Sequence, residues 1–133
     1  MKKNGILNHK LSGMIARLGH TDKLVVCDCG FPIPFGSEVV DISLVPGIPK
    51  LIDTLKALID ELEIEEVTVA NELEDKSNFM FLKVKELFPG LELKKIPHYD
   101  FKTLTRESSN MMFLRTGEAT PFCNVILQSG VIF

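Results

Sequence analysis

The apolar positions change period several times along the chain, and each change marks an element. Leu11, Met14, Ile15 and Leu18 recur at three- and four-residue steps, the spacing of one buried helical stripe. Asn8 precedes that stripe as an N-cap. Gly19 follows it as the residue after the helix, where glycine takes a left-handed backbone without a Cβ clash. Lys23 to Cys29 is then a short apolar strand, and Glu38 to Val45 alternates as a second one. Between them Phe31-Pro32-Ile33-Pro34-Phe35-Gly36 is a loop stiffened by two prolines.

Pro46-Gly47-Ile48-Pro49 breaks the chain, and Leu51, Ile52, Leu55, Leu58, Ile59 and Leu62 form an amphipathic helix. Asp60, Glu61, Glu63 and Glu65 at its end read as a solvated acidic face. Glu66 to Ala70 is a third strand. Met80, Phe81, Val84, Leu87 and Phe88 give a further helix closed by Pro89-Gly90, and Leu91 to Pro97 is a fourth strand. Thr103 to Asn110 is polar and irregular. Phe122 to Gln128 is a last long strand that turns at Ser129-Gly130 into Val131-Ile132-Phe133. Strand and helix in alternation predict a single α/β domain over residues 1–133, with a central, mostly parallel sheet flanked by helices. The C-terminal antiparallel hairpin is expected at its edge.

Composition narrows the partners. With 15 Lys and Arg against 18 Asp and Glu the net charge is −3, which argues against a nucleic-acid surface and supplies no basic membrane patch. No apolar run approaches membrane-spanning length, and the start of the chain turns polar before a signal-type run develops. A soluble, cytoplasmic protein is expected. Apolar types make up 45% of the chain, more than a domain of this size buries, so a homo-oligomer is predicted. Three cysteines cannot all pair, and Cys27 and Cys29 with a distant Cys123 make a poor metal set. Neither a phosphate-binding glycine loop nor a Ser-His-Asp order is present. The chemistry falls to His, Asp, Asn and backbone, with no metal and no cofactor.

Two titratable groups stand where strands deliver ligand sites. Asp28 ends the first strand and His98 follows the fourth, the position at which open α/β sheets bind ligands. His20 follows the first helix, whose terminal carbonyls favour imidazolium, a competent proton donor. Each has a structural alternative: His20 closing the helix, Asp28 capping its loop, His98 at a helix start or on the surface. Lys102 reads as a solvated helical lysine. Asn124 offers both a donor and an acceptor on an apolar strand, which suits sugar hydroxyls.

Taken together, Leu18-Gly19-His20-Thr21-Asp22, Cys27-Asp28-Cys29-Gly30-Phe31-Pro32-Ile33-Pro34, Ile96-Pro97-His98 and Arg115 to Leu127 resemble the D-ribose pyranase (ribose mutarotase) family from end to end. The resemblance implies conversion of ribopyranose to ribofuranose in a ring-shaped homo-oligomer, a decamer, with sites between neighbouring subunits. It implies His20 as proton donor, with Asp28, His98 and Phe122-Cys123-Asn124 binding D-ribose. One position departs: the family usually has Tyr where this chain has Phe122. The missing hydroxyl removes a hydrogen bond worth about 1 kcal/mol and bears on sugar preference more than on reaction type. The alternatives are a mutarotase for another monosaccharide such as fucose, and a sugar-binding module without turnover.

Overall fold

The computed structural model of the 133 residues contains six strands and five helices. They run α1 (His9–Ile15), β1 (Lys23–Cys27), β2 (Val39–Asp41), α2 (Leu51–Ile59), β3 (Ile64–Ala70), α3 (Asn71–Lys76), α4 (Asn78–Leu87), β4 (Lys94–Ile96), α5 (His98–Glu107), β5 (Met111–Arg115) and β6 (Val125–Ser129). The strands join in one sheet in the order β2-β5-β1-β6-β3-β4. The pairs β1–β5, β2–β5 and β3–β4 are parallel, and β6 runs antiparallel to both β1 and β3.

The single α/β domain stands as expected, with a correction at its end. β6 lies in the middle of the sheet rather than at its edge, and residues 130–133 form no strand, so there is no C-terminal hairpin. The physical reason is apolar content on both faces: Val125, Ile126 and Leu127 are all buried. A strand with no solvated face belongs inside a sheet. Thr103 to Glu107, expected to be irregular, belong to α5, and β5 is a strand that the local pattern does not predict. Met111 to Arg115 borrows its regularity from long-range pairing, with Lys23 to Cys27 on one side and Val39 to Asp41 on the other.

Strand alternation sorts the core into two layers. Leu24 and Val26 of β1 join Leu114, Val125 and Leu127 under α1, α2, α3 and α4, in a cluster of 22 buried residues. Val25 and Cys27 turn to the other face and meet Phe113, Ile126 and Phe31 under Phe101 of α5, in a cluster of seven. That second face is covered thinly, so α5 and the loop after β1 lie directly over it. The first residue of α5, His98, is thereby brought to the end of the sheet where β1, β3 and β4 finish.

The first helix is shorter than its stripe suggested. Asn8 caps it by accepting from Leu11 N at 3.0 Å, as expected. The helix stops at Ile15, however, and Gly19 is not its left-handed terminator. Gly19 N instead donates to Asp22 Oδ2 at 2.8 Å, and Thr21 takes the positive φ of 68°. His20 therefore stands in a separate turn beyond the helix end.

Candidate functional site

Asp28 leaves β1 at its carboxyl end, and the amide of Asn124 holds it twice. Asp28 N donates to Asn124 Oδ1 at 2.9 Å, and Asn124 Nδ2 donates to Asp28 Oδ2 at 2.8 Å. Gly30 N donates to the other carboxylate oxygen, Oδ1, at 2.9 Å. Asn124 is 1% exposed, and its amide oxygen and nitrogen each make one hydrogen bond to Asp28. Asp28 itself is half-buried.

The loop that carries Asn124 is set by Glu118, a carboxylate only 6% exposed. Its Oε1 accepts from Ala119 N, Thr120 N and Thr120 Oγ1, and its Oε2 accepts from Leu51 N at the start of α2. Burial alone would raise its pKa, yet donation from Thr120, Leu51 and Ala119 outweighs it and holds the carboxyl below the ordinary range. Gly117, one residue earlier, has no room for a side chain: a Cβ there would sit 2.0 Å from the backbone oxygen of Ile48. Phe122 then adopts φ 62°, a left-handed backbone that a bulky residue rarely takes. That turn aims its ring at the sheet end, where it meets the His98 ring edge-on at 5.1 Å and 86°.

His98 opens α5 behind Pro97, which has no side chain able to cap a helix. The missing acceptor comes from Glu72 in the first turn of α3, whose Oε2 accepts from His98 N at 2.8 Å. β3 and β4 pair in parallel, so the helices that follow them start side by side. The imidazole packs on Phe101 at 6.3 Å, and Phe101 meets Phe31 edge-on at 5.8 Å. Burial first and the Lys102 ammonium second push the His98 pKa below its ordinary value, against the opposing pull of Glu72 and Asp28. A neutral imidazole both donates and accepts, and its buried Nδ1 has no partner in the chain.

Asp28, His98, Phe122 and Asn124 thus assemble as one group. Cys123 joins them only through its backbone: its side chain is buried in the larger core, and burial drives its thiol pKa far up. Cys27 is likewise buried, with its pKa raised to about 12, first by burial and then by the Asp28 charge. No three His, Cys, Asp or Glu side chains gather in a metal-binding group.

His20 is elsewhere. It precedes β1 while Asp28 follows it, and five strand residues span roughly 13 Å. The exposed imidazole places Nε2 3.1 Å from Glu65 Oε2, and Glu65 Oε1 accepts from Gln128 Nε2 at 2.7 Å. The surface cavities of 340–500 Å³ are lined by neither group. Glu65, read as solvated, and Glu72, not singled out at all, were hidden because their partners come from β6 and α5. Only the sheet order brings them together.

A clamped carboxylate, a neutral imidazole and an aromatic ring at an open sheet end define a small α/β protein equipped to hold a polyhydroxylated molecule. The model of the RbsD / FucU transport protein family matches residues 1–132. The chain belongs to that family. It is 47% identical to the D-ribose pyranase of Kosmotoga olearia over 133 residues, covering all of both chains. It is 44% identical to that of Geobacillus kaustophilus, covering all of this chain and 96% of the other. The structure of Bacillus subtilis RbsD complexed with D-ribose superposes with a TM-score of 0.92 at 42% identity, each chain fully covered. FucU from Bifidobacterium longum shares the fold alone, at TM-score 0.73 and 21% identity over 93% of this chain and 95% of that one.

Proposed function

We propose that this protein is a D-ribose pyranase that interconverts the pyranose and furanose forms of D-ribose by acid/base ring opening and closure. The observation that carries this reading is the agreement in fold with a D-ribose-bound protein at 42% identity. It is supported by the Asp28–Asn124–His98–Phe122 group at the sheet end. Ribose is favoured over fucose because the fucose mutarotase of Streptococcus pneumoniae is related at 15% identity, which carries fold only.

His20 is the proton donor and Asp28 and His98 hold sugar hydroxyls. Phe122 supplies a ring face, and Cys123 contributes backbone. Asn124 acts through Asp28. His20 gives a proton to the pyranose ring oxygen as the C1–O5 bond breaks, while the anomeric hydroxyl loses its proton and becomes the aldehyde carbonyl. Rotation brings O4 to C1, where it adds to the carbonyl. The new anomeric oxygen takes up a proton, the O4 proton leaves, and no net atom or electron is exchanged. Positioned proton transfer of this kind contributes about 10²–10⁴-fold.

His20 and Asp28 flank opposite ends of β1, so one chain does not bring them to the same sugar. The working unit is a homo-oligomer, a ring of ten, in which His20 of one subunit faces the sheet end of the next. Exposed Phe35, Leu44, Ile132 and Phe133 provide the apolar surface that such contacts cover. The compartment is the cytoplasm, and no helix is long and apolar enough to cross a membrane. Saturation-transfer NMR on ribose tests the activity. Protein-dependent exchange between pyranose and furanose signals is expected, and ribose binding without faster exchange would favour a non-catalytic module instead.

A further inference from the structure

His20 stands in a turn that three elements converge on. Its Nε2 lies 3.1 Å from Glu65 Oε2 on β3, and Gln128 on β6 donates to the other oxygen of the same carboxylate at 2.7 Å. The sheet fixes Gln128, which pairs in register with Lys23 of β1 and with Glu66 of β3, while Glu65 sits at the irregularity between Ile64 and Glu66 where the β3–β6 register shifts. The turn itself is tied down as well, because Thr21 N donates to Ser129 O and Ser129 N to Asp22 O, each at 2.9 Å. Glu65 is thus held by Gln128 and in turn holds the imidazole.

An ionised carboxylate only accepts, so the ring nitrogen facing Glu65 carries hydrogen, and in the neutral ring Nδ1 is then the bare nitrogen. Hydrogen bonds, from the Gln128 amide first and His20 second, hold the Glu65 carboxyl below the ordinary carboxylate range. Glu65 is the only carboxylate paired with the ring. Asp22 in the same turn accepts from Gly19 N, and Glu63 packs beside Gly130. Lys23 starts β1.

We infer that Glu65 is the positioning residue of the proton donor: by retaining hydrogen on Nε2 of His20 it makes Nδ1 the nitrogen that passes the proton to and from the sugar. Gln128 completes the device by keeping the carboxylate in place. The inference rests on the reading of His20 as the proton donor, and it assigns a tautomer and a facing atom that the reading leaves open.

The test uses ¹⁵N-histidine NMR together with ribose exchange, on the assembled protein. At a pH where His20 is neutral, the wild type is expected to show its proton on Nε2. Glu65→Leu removes the acceptor: the His20 signals should move toward a mixture of tautomers, and kcat for ring-form exchange should fall about tenfold with KM unchanged. Glu65→Gln keeps an acceptor oxygen for Nε2–H, and its amide can donate to a flipped Gln128, so it should restore the tautomer and part of the rate. A wild-type proton on Nδ1 overturns the inference. So does a Glu65→Leu protein with unchanged signals and rate, or one altered in KM alone. His20→Ala separates the two layers. A silent His20→Ala beside a fully active Glu65→Leu rejects the Glu65 role only, whereas an active His20→Ala rejects the reading beneath it.

Discussion

Replacing Asn124 by Asp changes one atom group and leaves the shape almost intact, which makes its consequence calculable. In the native protein Asn124 Oδ1 accepts from Asp28 N while Nδ2 donates to Asp28 Oδ2 at 2.8 Å. In Asn124→Asp the first bond survives and the second becomes oxygen against oxygen. Two charges 2.8 Å apart repel by about 6 kcal/mol at an effective dielectric of 20. Binding one proton between the carboxylates avoids that and rebuilds the hydrogen bond. The proton costs about 1.36 kcal/mol for each pH unit above the ordinary Asp pKa of about 3.9, hence about 1.5 kcal/mol at pH 5 and about 4 kcal/mol at pH 7. The sign follows from linkage: the variant's folded carboxyl pKa is raised, so its stability is whole below the unfolded pKa and is lost as pH rises toward the folded one. Urea denaturation followed by circular dichroism, at one fixed protein concentration because assembly adds to stability, should show a deficit against wild type of about 1.5 kcal/mol at pH 5 and about 4 kcal/mol at pH 7. A deficit equal at both pH values, or none at either, would refute the reasoning that Asn124 serves to hold an ionised Asp28.

Other consequences can be checked in parallel. The hydrogen-bonded Glu118 carboxyl lies below its ordinary range, so its contribution to stability is present above about pH 4.3 and is lost as pH falls through the depressed value. Glu118→Gln should therefore cost about 1.5–3 kcal/mol at pH 7 and show a smaller further loss on acidification than wild type, by urea melts across pH 3–7. Gly117→Ala puts a methyl 2.0 Å from the Ile48 backbone oxygen and should destabilise by at least about 1–3 kcal/mol, a loss visible in thermal melts. Glu72→Ala strips the acceptor from the start of α5, for about 1 kcal/mol. It also removes a charge that pulls the His98 pKa upward, so histidine NMR should show His98 titrating lower still.

What could be read from the sequence, and what could not, divides along the range of the interactions. The α2 stripe of Leu51, Leu55 and Leu58 and the β1 run of Leu24 to Cys27 are local patterns, and both elements formed as expected. Asp28 and His98 were placed at strand ends by the same local logic, and the fold brings them to one end of the sheet. β5 and the second half of α5 escape a local reading because Met111 to Arg115 is short and Thr103 to Glu107 is polar, and they gain order from neighbours distant in sequence. Residue type alone matches Asn124 to sugar hydroxyls, and its two hydrogen bonds to Asp28 are not legible because the two residues are far apart in sequence. Glu65 and Glu72 carried no visible signal at all. Each is one carboxylate in an acidic stretch, distinguished only by a partner supplied by β6 or α5.

A shared active site has a signature that no single variant gives. His20→Ala and Asp28→Ala should each abolish ribose ring-form exchange when expressed alone. Co-expressed in equal amounts, they should form mixed assemblies in which about a quarter of the interfaces carry both native residues, and saturation-transfer NMR should recover about that fraction of the wild-type rate. Mixed assemblies as silent as either parent, or a parent that exchanges ribose at the full rate, would contradict a site built from His20 of one subunit and Asp28 of the next.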